Sequence, residues 1–298
     1  MVTRFPPEPS GYLHIGHVKA AMMNFHYAKM HGGKMILRFD DTNPMNEKIE
    51  FVDNILRDLK TLGITPDQVT YSSDNFGMLE NSMRQLITEG HAYADNTPAE
   101  EMKEMRDAGE ATVHRSNTVE KNLELFAGML AGTAPGYCIR AKLSMTDKVK
   151  CNRDPVFYRC KDIPHHRTGD RYKAYPTYDF TCPIVDSHEG VTHALRTIEY
   201  RDRNALYAWV QKTLNLRPVI IYDFAKLNLM STCLSKRKLR FFVEEGLVAG
   251  WDDPRFPTIQ GIMRRGMTDK ALAVFMLEQG PSRNTVNMEW DKIWACNK

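Results

Sequence analysis

The opening forty-odd residues constrain the fold more tightly than any other part of the chain. Thr3-Arg4-Phe5 is a short strand-forming run, cut off by Pro6-Pro7-Glu8-Pro9-Ser10-Gly11, whose prolines and glycine make a stiff, non-helical loop. From Gly16 to Met30 the pattern turns helical, with Val18, Met22, Phe25 and Met30 among the apolar positions, and His31-Gly32-Gly33 closes it with glycine past the last turn. Met35 to Phe39 then reads as a buried strand running into Asp40-Asp41-Thr42-Asn43-Pro44. Strand, helix and strand in about 40 residues form a βαβ unit, which requires a parallel sheet. Helices are expected from Glu47 to Leu62, ended by Gly63, and from Met78 to Glu89, as in the opening of a doubly wound α/β fold. Sheet-like patterning returns at Pro183-Ile184-Val185 and at Val219 to Phe224, separated by a helix near Arg203 to Leu214. After Ser235 the chain is mainly helical, and it holds no internal repeat.

Composition bounds the remainder. A length of 298 residues suggests about two domains. Hydrophobic and charged shares of 42% and 26% are globular values that exclude wholesale disorder. No apolar run is long enough to span a membrane, and Met1 to Ser10 has no signal-peptide core, so neither a membrane protein nor a secreted one is expected. The six cysteines form no C-x-x-C pair, so they read as reduced thiols of a cytosolic protein with no zinc knuckle. A net charge of +3 would not by itself mark a nucleic-acid binder. That average hides an asymmetry: residues 93–136 carry eight acids against four bases, and residues 137–175 carry ten bases against four acids. The basic stretch interleaves aromatics, as in Phe157-Tyr158-Arg159 and His165-His166-Arg167. It reads equally as a solvated surface or as a nucleic-acid face.

Two motifs carry chemistry. His14-Ile15-Gly16-His17 opens the first helix, where free amides and two imidazoles suit polyphosphate charge and Gly16 admits a flat ring close to the backbone. Leu234-Ser235-Lys236-Arg237-Lys238 places three cations in a loop after an apolar strand, suited to charge developing on a leaving pyrophosphate. Alone, either motif has a plain reading, as helix-start histidines or as an exposed basic loop. Together they weigh against both.

The pair resembles the HIGH and KMSKS signatures of class I aminoacyl-tRNA synthetases, with Cys233 and Arg237 replacing the first Lys and last Ser of KMSKS. The run from Arg4 to His17 resembles the opening of the glutamyl/glutaminyl subgroup in its eukaryotic form. So do Leu37-Arg38-Phe39-Asp40-Asp41-Thr42-Asn43-Pro44, Tyr175-Pro176-Thr177-Tyr178-Asp179-Phe180, Gly250-Trp251-Asp252-Asp253-Pro254-Arg255-Phe256-Pro257 and Asn287-Met288-Glu289-Trp290-Asp291-Lys292. The resemblance implies an α/β class I synthetase Rossmann fold, a parallel sheet split by an acceptor-binding insertion and followed by a helical stem-contact module. The expected divisions are 1–92 for the first Rossmann half, 93–172 for the insertion, 173–230 for the second half and 231–298 for the KMSKS-like loop and helices. An anticodon-binding domain is absent, which implies a catalytic fragment of a longer protein.

The resemblance also implies the site. Asp40 and Tyr178 would hold the substrate amino group, and Arg196 would read its side-chain end, with Arg4 as a second cation and Pro6 and Cys182 lining the pocket. Relatives specific for glutamine have a small uncharged residue in place of Arg196. A guanidinium fork pairs with a carboxylate and not with a neutral amide, so glutamate is favoured over glutamine. His14 and His17 fall to the phosphates of ATP and Lys236 to the leaving pyrophosphate. Glu8, Pro9, Ser10, Gly16, Thr197, Glu199, Leu227, Leu234 and Ser235 complete the nucleotide site. ATP with Mg²⁺, L-glutamate and tRNA(Glu) are the expected substrates, with no protein-bound zinc, a cytoplasmic location and possible multi-synthetase complex partners through other regions. Competing readings are a glutaminyl enzyme, a shortened paralogue that modifies a tRNA base, and a non-catalytic tRNA-binding relative.

Overall fold

A computed structural model describes residues 1–298. Strand β1 (Val2–Phe5), helix α1 (Ile15–Met30) and strand β2 (Lys34–Phe39) form the expected βαβ unit, with β1 and β2 paired in parallel. Helix α2 (Ile49–Thr61) buries Phe51, Val52, Ile55 and Leu59, an apolar stripe at helical spacing, and leads to β3 (Gln68–Tyr71), parallel to β2. Helix α3 (Phe76–Thr88) follows. The chain then leaves the parallel sheet for an antiparallel one of four strands: β4 (Ala92–Asp95), β5 (Cys138–Ala141), β6 (Val156–Cys160) and β7 (Ala174–Pro176), paired in that order. Helices α4 (Ala99–Ala108) and α5 (Val119–Ala131) lie between β4 and β5, each ending on a left-handed glycine, Gly109 (φ 78°) and Gly132 (φ 80°).

Helix α6 (Tyr178–His188) returns the chain to the parallel sheet at β8 (His193–Thr197), followed by α7 (Asn204–Thr213) and β9 (Ile220–Phe224). The amide of Thr192, just before β8, donates to Val2 O (2.9 Å), and the Val2 amide donates to Thr192 Oγ1 (2.8 Å). These bonds set the β8–β9 pair beside β1, so the parallel strands run β3-β2-β1-β8-β9. The order reverses between β1 and β8, where a doubly wound sheet leaves a crevice at its carboxyl ends.

Pro183-Ile184-Val185, strand-like in sequence, lies inside α6. Every residue from Phe180 to Asp186 is buried, so the segment shows no polar face, and periodicity cannot separate such a helix from a buried strand. Pro183 costs the helix one backbone bond, while its carbonyl accepts from Gln211 Nε2 (3.0 Å) on α7.

After β10 (Asn228–Leu229) come α8 (Lys236–Glu244), α9 (Ile259–Arg264), α10 (Asp269–Gln279), β11 (Asn287–Met288), parallel to β10, and α11 (Trp290–Ala295). Ile262, Leu272, Phe275, Met276 and Ile293 of this region share one core with Val18 and Met22 of α1 and with Leu37 and Phe39 of β2. The terminal helices are thereby fixed to the first βαβ unit. The antiparallel sheet has a second core around Phe126, Phe157, Tyr158 and Phe180.

Candidate active site

The carboxyl ends of β1, β2, β8 and β9 open into one cleft of about 1000 Å³. Arg4, Pro6, Glu8, His14, Gly16, His17, Asp40, Tyr178, Arg196, Thr197, Glu199, Leu227, Leu234, Ser235 and Lys236 all line it. Three expected site residues do not. Pro9 is buried with its carbonyl accepting the Lys48 amide (3.1 Å), and Ser10 is buried and donates to Glu8 Oε2 (2.9 Å). Cys182 lies behind the wall, its thiol facing Asp186 Oδ2 at 3.5 Å. The polar groups of Pro9, Ser10 and Cys182 are turned into the protein.

The histidines build the start of α1. His14 Nδ1 accepts the Gly16 amide (3.1 Å) and His17 Nδ1 accepts the His14 amide (3.1 Å), a reciprocal cap that leaves each ring its proton on Nε2. A Cβ on Gly16 would stand 3.0 Å from His14 Cε1, so a side chain there would press on the capping ring. Burial, and then the Lys236 charge, drive His14 down to about 3. Burial, His14 and Lys236 hold His17 well below the imidazole range. At neutral pH both rings are uncharged N–H donors, and they offer an anion hydrogen bonds at a helix N-terminus.

Lys236 differs from its sequence reading. It is the first residue of α8, half-buried, with Nζ donating to Glu8 O (3.1 Å) and Gly11 O (3.4 Å). Burial lowers it to about 8, with Glu8 opposing, so it stays largely protonated at pH 7. The Pro/Gly loop that it binds is held from the other side by the last module. Ile15 donates to Pro257 O (2.9 Å), Ile259 to Leu13 O (3.0 Å), and Trp251 stacks on Tyr12 with centroids 5.7 Å apart.

The three arginines near the sheet's switch point separate by their partners. Arg4 Nε contacts both oxygens of Asp186 (3.0 and 3.2 Å), and Arg38 pairs with Asp186 and, through Nη1, with Glu189 (2.7 Å). Two cations and two anions neutralise one another in this buried cluster. Arg4, expected as a second cation of the site, therefore lines the cleft already paired with Asp186. Arg196 has no carboxylate within ion-pair distance. Its Nη2 donates to Asn204 Oδ1 (2.5 Å) and Tyr200 O (3.2 Å), while its Nε is buried without a partner. The residue is 5% exposed and lines the cleft. A buried cation with an unused donor is costly unless an anion completes it.

Residues 1–298 match the family described as tRNA synthetases class I (E and Q), catalytic domain. The chain belongs to that family. It is 57% identical over its whole length to the cytoplasmic glutamate–tRNA ligase of Saccharomyces cerevisiae, of which it covers 42%. It is 56% identical, again over its whole length, to the bifunctional glutamate/proline–tRNA ligase of Cricetulus griseus, of which it covers 20%. The chain thus spans less than half the length of these curated relatives. A glutamate–tRNA ligase from Elizabethkingia meningosepticum shares the fold, with a TM-score of 0.71 at 19% identity, over all of this chain and 68% of that one.

In this class I synthetase domain the buried acids around the cleft are tuned. Burial, then Asp41 and Glu8, push Asp40 up to about 7. Below that pH its carboxyl is neutral and cannot pair with an ammonium group. If Asp40 receives the ammonium of an amino-acid substrate, the KM for that substrate should rise as pH falls from 8 to 6, by about tenfold per unit once below the pKa, as read from initial rates across that range. A KM that stays flat would remove Asp40 from contact with the amino group.

Asp41, His165 and His166 place ligand atoms within 4.8 Å of one another. The donors of His165 and Asp41 are already used, while both ring nitrogens of His166 are unpartnered. His165 Nε2 bonds Asp41 O (2.8 Å), its Nδ1 accepts two amides, and Ser73 takes both oxygens of Asp41. The Arg167 guanidinium also stands 4.0 Å from Asp41. His165 and Asp41 clamp the loop after β2 to the segment before β7.

The aromatics of the basic stretch serve the core. Phe157 and Tyr158 are fully buried, and Arg167 pairs with Asp74 (2.7 Å) over the Tyr71 ring. Lys148 and Arg171 remain exposed and without an acidic partner. Sequence reasoning missed the Arg38–Asp186–Glu189 cluster, Arg159 and the Arg203–Asp179 pair (3.1 Å) on the cleft wall. The partners within the cluster and the pair lie far apart along the chain, so no local spacing could have revealed them, and Arg159 has a buried Nε with no partner. No helix is long and apolar enough to cross a membrane.

Proposed function

We propose that this chain activates L-glutamate with ATP and transfers the glutamyl group to the 3′-terminal ribose of tRNA(Glu). The observation that carries the choice of amino acid is Arg196, the buried cation of the cleft with no counter-carboxylate and an unpaired Nε. A γ-carboxylate completes it, and a γ-amide would bring a second set of donors and no charge. Asp40 and Tyr178 receive the α-ammonium. The α-carboxylate oxygen then attacks the α-phosphorus of ATP, the bond to the bridging oxygen breaks, and pyrophosphate leaves with Mg²⁺ as part of the nucleotide substrate. The Nε2–H donors of His14 and His17 and the ammonium of Lys236 meet the charge growing on the phosphates, so the protein supplies position and electrostatics. A ribose hydroxyl next attacks the glutamyl carbonyl and AMP departs. Glu8, Thr197, Glu199, Leu227, Leu234 and Ser235 are assigned to the nucleotide, with Pro9, Ser10 and Cys182 acting through the groups they position.

The working division is residues 1–92 and 173–230 for the Rossmann halves, 93–172 for an insertion that takes the acceptor end, and 231–298 for a stem-contact module. The antiparallel sheet from Ala92 to Pro176 supports the insertion. A cytoplasmic location is proposed from the names of the relatives in Saccharomyces cerevisiae and Arabidopsis thaliana. The bifunctional relative suggests that other regions join further synthetase machinery.

Attachment of radiolabelled glutamate to the 3′ end of tRNA(Glu), with ATP and Mg²⁺, is the test. No acid-precipitable label from a folded, tRNA-binding protein would contradict the reading. Binding of the tRNA should also weaken with salt, since phosphate contacts release counterions. Replacing Lys148 and Arg171 with alanine together is expected to reduce the log–log salt slope by about 1–2 in filter binding. An unchanged slope would take the insertion's exposed bases out of the interface.

A further inference from the structure

The cleft contrasts two ways of holding a buried arginine. Arg4 and Arg38 are held by the carboxylates of Asp186 and Glu189, which cancel their charge. Arg196 is held by an amide. Asn204, the first residue of α7, accepts from Arg196 Nη2 through Oδ1 (2.5 Å) and donates from Nδ2 to Asp223 Oδ2 (2.9 Å) on β9. Each contact demands one end of the amide, an acceptor for the guanidinium and a donor for the carboxylate, so the group has one permitted orientation. Asp223 is buried, with its other oxygen unpartnered. The Tyr200 and Tyr207 rings lie 5.5 and 5.2 Å from the Arg196 guanidinium carbon, and Tyr207 is anchored by its hydroxyl on Asp186 (2.7 Å).

We infer that Asn204 is a positioning residue for substrate recognition, a neutral tether that orients the Arg196 guanidinium while leaving its charge for the substrate carboxylate, with Asp223 fixing the tether. This rests on the assignment of Arg196 to the γ-carboxylate. A carboxylate at position 204 would orient the guanidinium equally well and would neutralise it, as Asp186 does for Arg4. An apolar residue there would leave the charge free and the fork unaimed. Misplacement of a reacting or recognising group by about 1 Å costs on the order of 100-fold, so both changes act on glutamate and not on ATP.

The test is a set of variants in ATP–pyrophosphate exchange with tRNA present, reading KM for glutamate and for ATP separately. Asn204→Ala is expected to raise the glutamate KM by about 10–100-fold with the ATP KM within about twofold. The exchange pair Asn204→Asp/Asp223→Asn keeps one amide, one carboxylate and both hydrogen bonds, and so keeps the fold, but moves the charge onto Arg196. It is expected to melt like wild type and still bind glutamate at least tenfold more weakly, by the same reasoning about pairing. Wild-type glutamate KM in that double variant overturns the inference. An equal rise of both KM values in Asn204→Ala also overturns it, since that marks a general structural loss. Arg196→Ala run alongside separates the levels: if it too leaves the glutamate KM unchanged, the assignment of Arg196 itself fails. If it raises that KM and the Asn204 variants do not, only the tether fails.

Discussion

Arg196→Ala is expected to lower kcat/KM for glutamate by about 10²–10³-fold, or roughly 3–4 kcal/mol, the lower part of the range for breaking a buried charge pair. The magnitude follows from burial. Arg196 is 5% exposed, so a carboxylate meeting it has given up its water and has no replacement once the guanidinium is removed. The loss should fall on glutamate alone, because Asp40, proposed for the α-ammonium, and His14, His17 and Lys236, proposed for the phosphates, stand on other elements. The glutamate/glutamine ratio should therefore collapse towards unity while the ATP KM is kept. A variant that retained the wild-type ratio would remove Arg196 from side-chain recognition.

The largest effect on stability is expected at Asp186. Its carboxylate is fully buried and binds Arg4, Arg38 and the Tyr207 hydroxyl. Burial alone would raise its pKa, but Arg4 and Arg38 overcome that and hold it well below the carboxylate range. Asp186→Ala strands the buried Arg4 guanidinium and leaves Arg38 with Glu189 alone, and should cost about 3–5 kcal/mol, a melting temperature lower by on the order of 10 °C. The depressed pKa sets the sign of the pH dependence. The contribution is full above the ordinary carboxylate pKa and is lost as pH falls below it towards the folded value, so wild type and variant should converge only in strong acid. Thermal melts at pH 7 and near pH 3 would show this. Equal melting temperatures at pH 7 would mean that the cluster is not what holds β1, β2 and α6 together.

The strand–helix–strand opening was legible because its apolar period switches from two to 3.6 and back within one short segment, between Pro/Gly and Gly/Gly breaks. The two signature motifs, lying more than 200 residues apart in sequence, do meet: Lys236 Nζ bonds the carbonyls of Glu8 and Gly11 at the mouth of the loop before His14. What stayed hidden depends on tertiary surroundings. Nothing in the sequence distinguishes Arg4, which is spent on Asp186, from Arg196, which is free, because the difference lies in partners 182 residues away and on another helix. The neutrality of His14 and His17 comes from burial and from Lys236, which local sequence cannot report. The α6 segment was misread because a helix buried on all sides presents no face for periodicity to detect. The basic stretch looked like an aromatic nucleic-acid face, yet Phe157 and Tyr158 are core residues of its own sheet, and only its exposed bases are available.

The central claim, that the unpaired charge of Arg196 makes this a glutamate-activating site, is tested most directly by ATP–pyrophosphate exchange with the unmodified chain and tRNA(Glu), comparing glutamate with glutamine at equal concentrations. Glutamate should support exchange and glutamine should be weaker by at least about 10²-fold, the cost of leaving a buried guanidinium opposite a neutral amide. Comparable exchange with the two amino acids, or faster exchange with glutamine, would contradict the account.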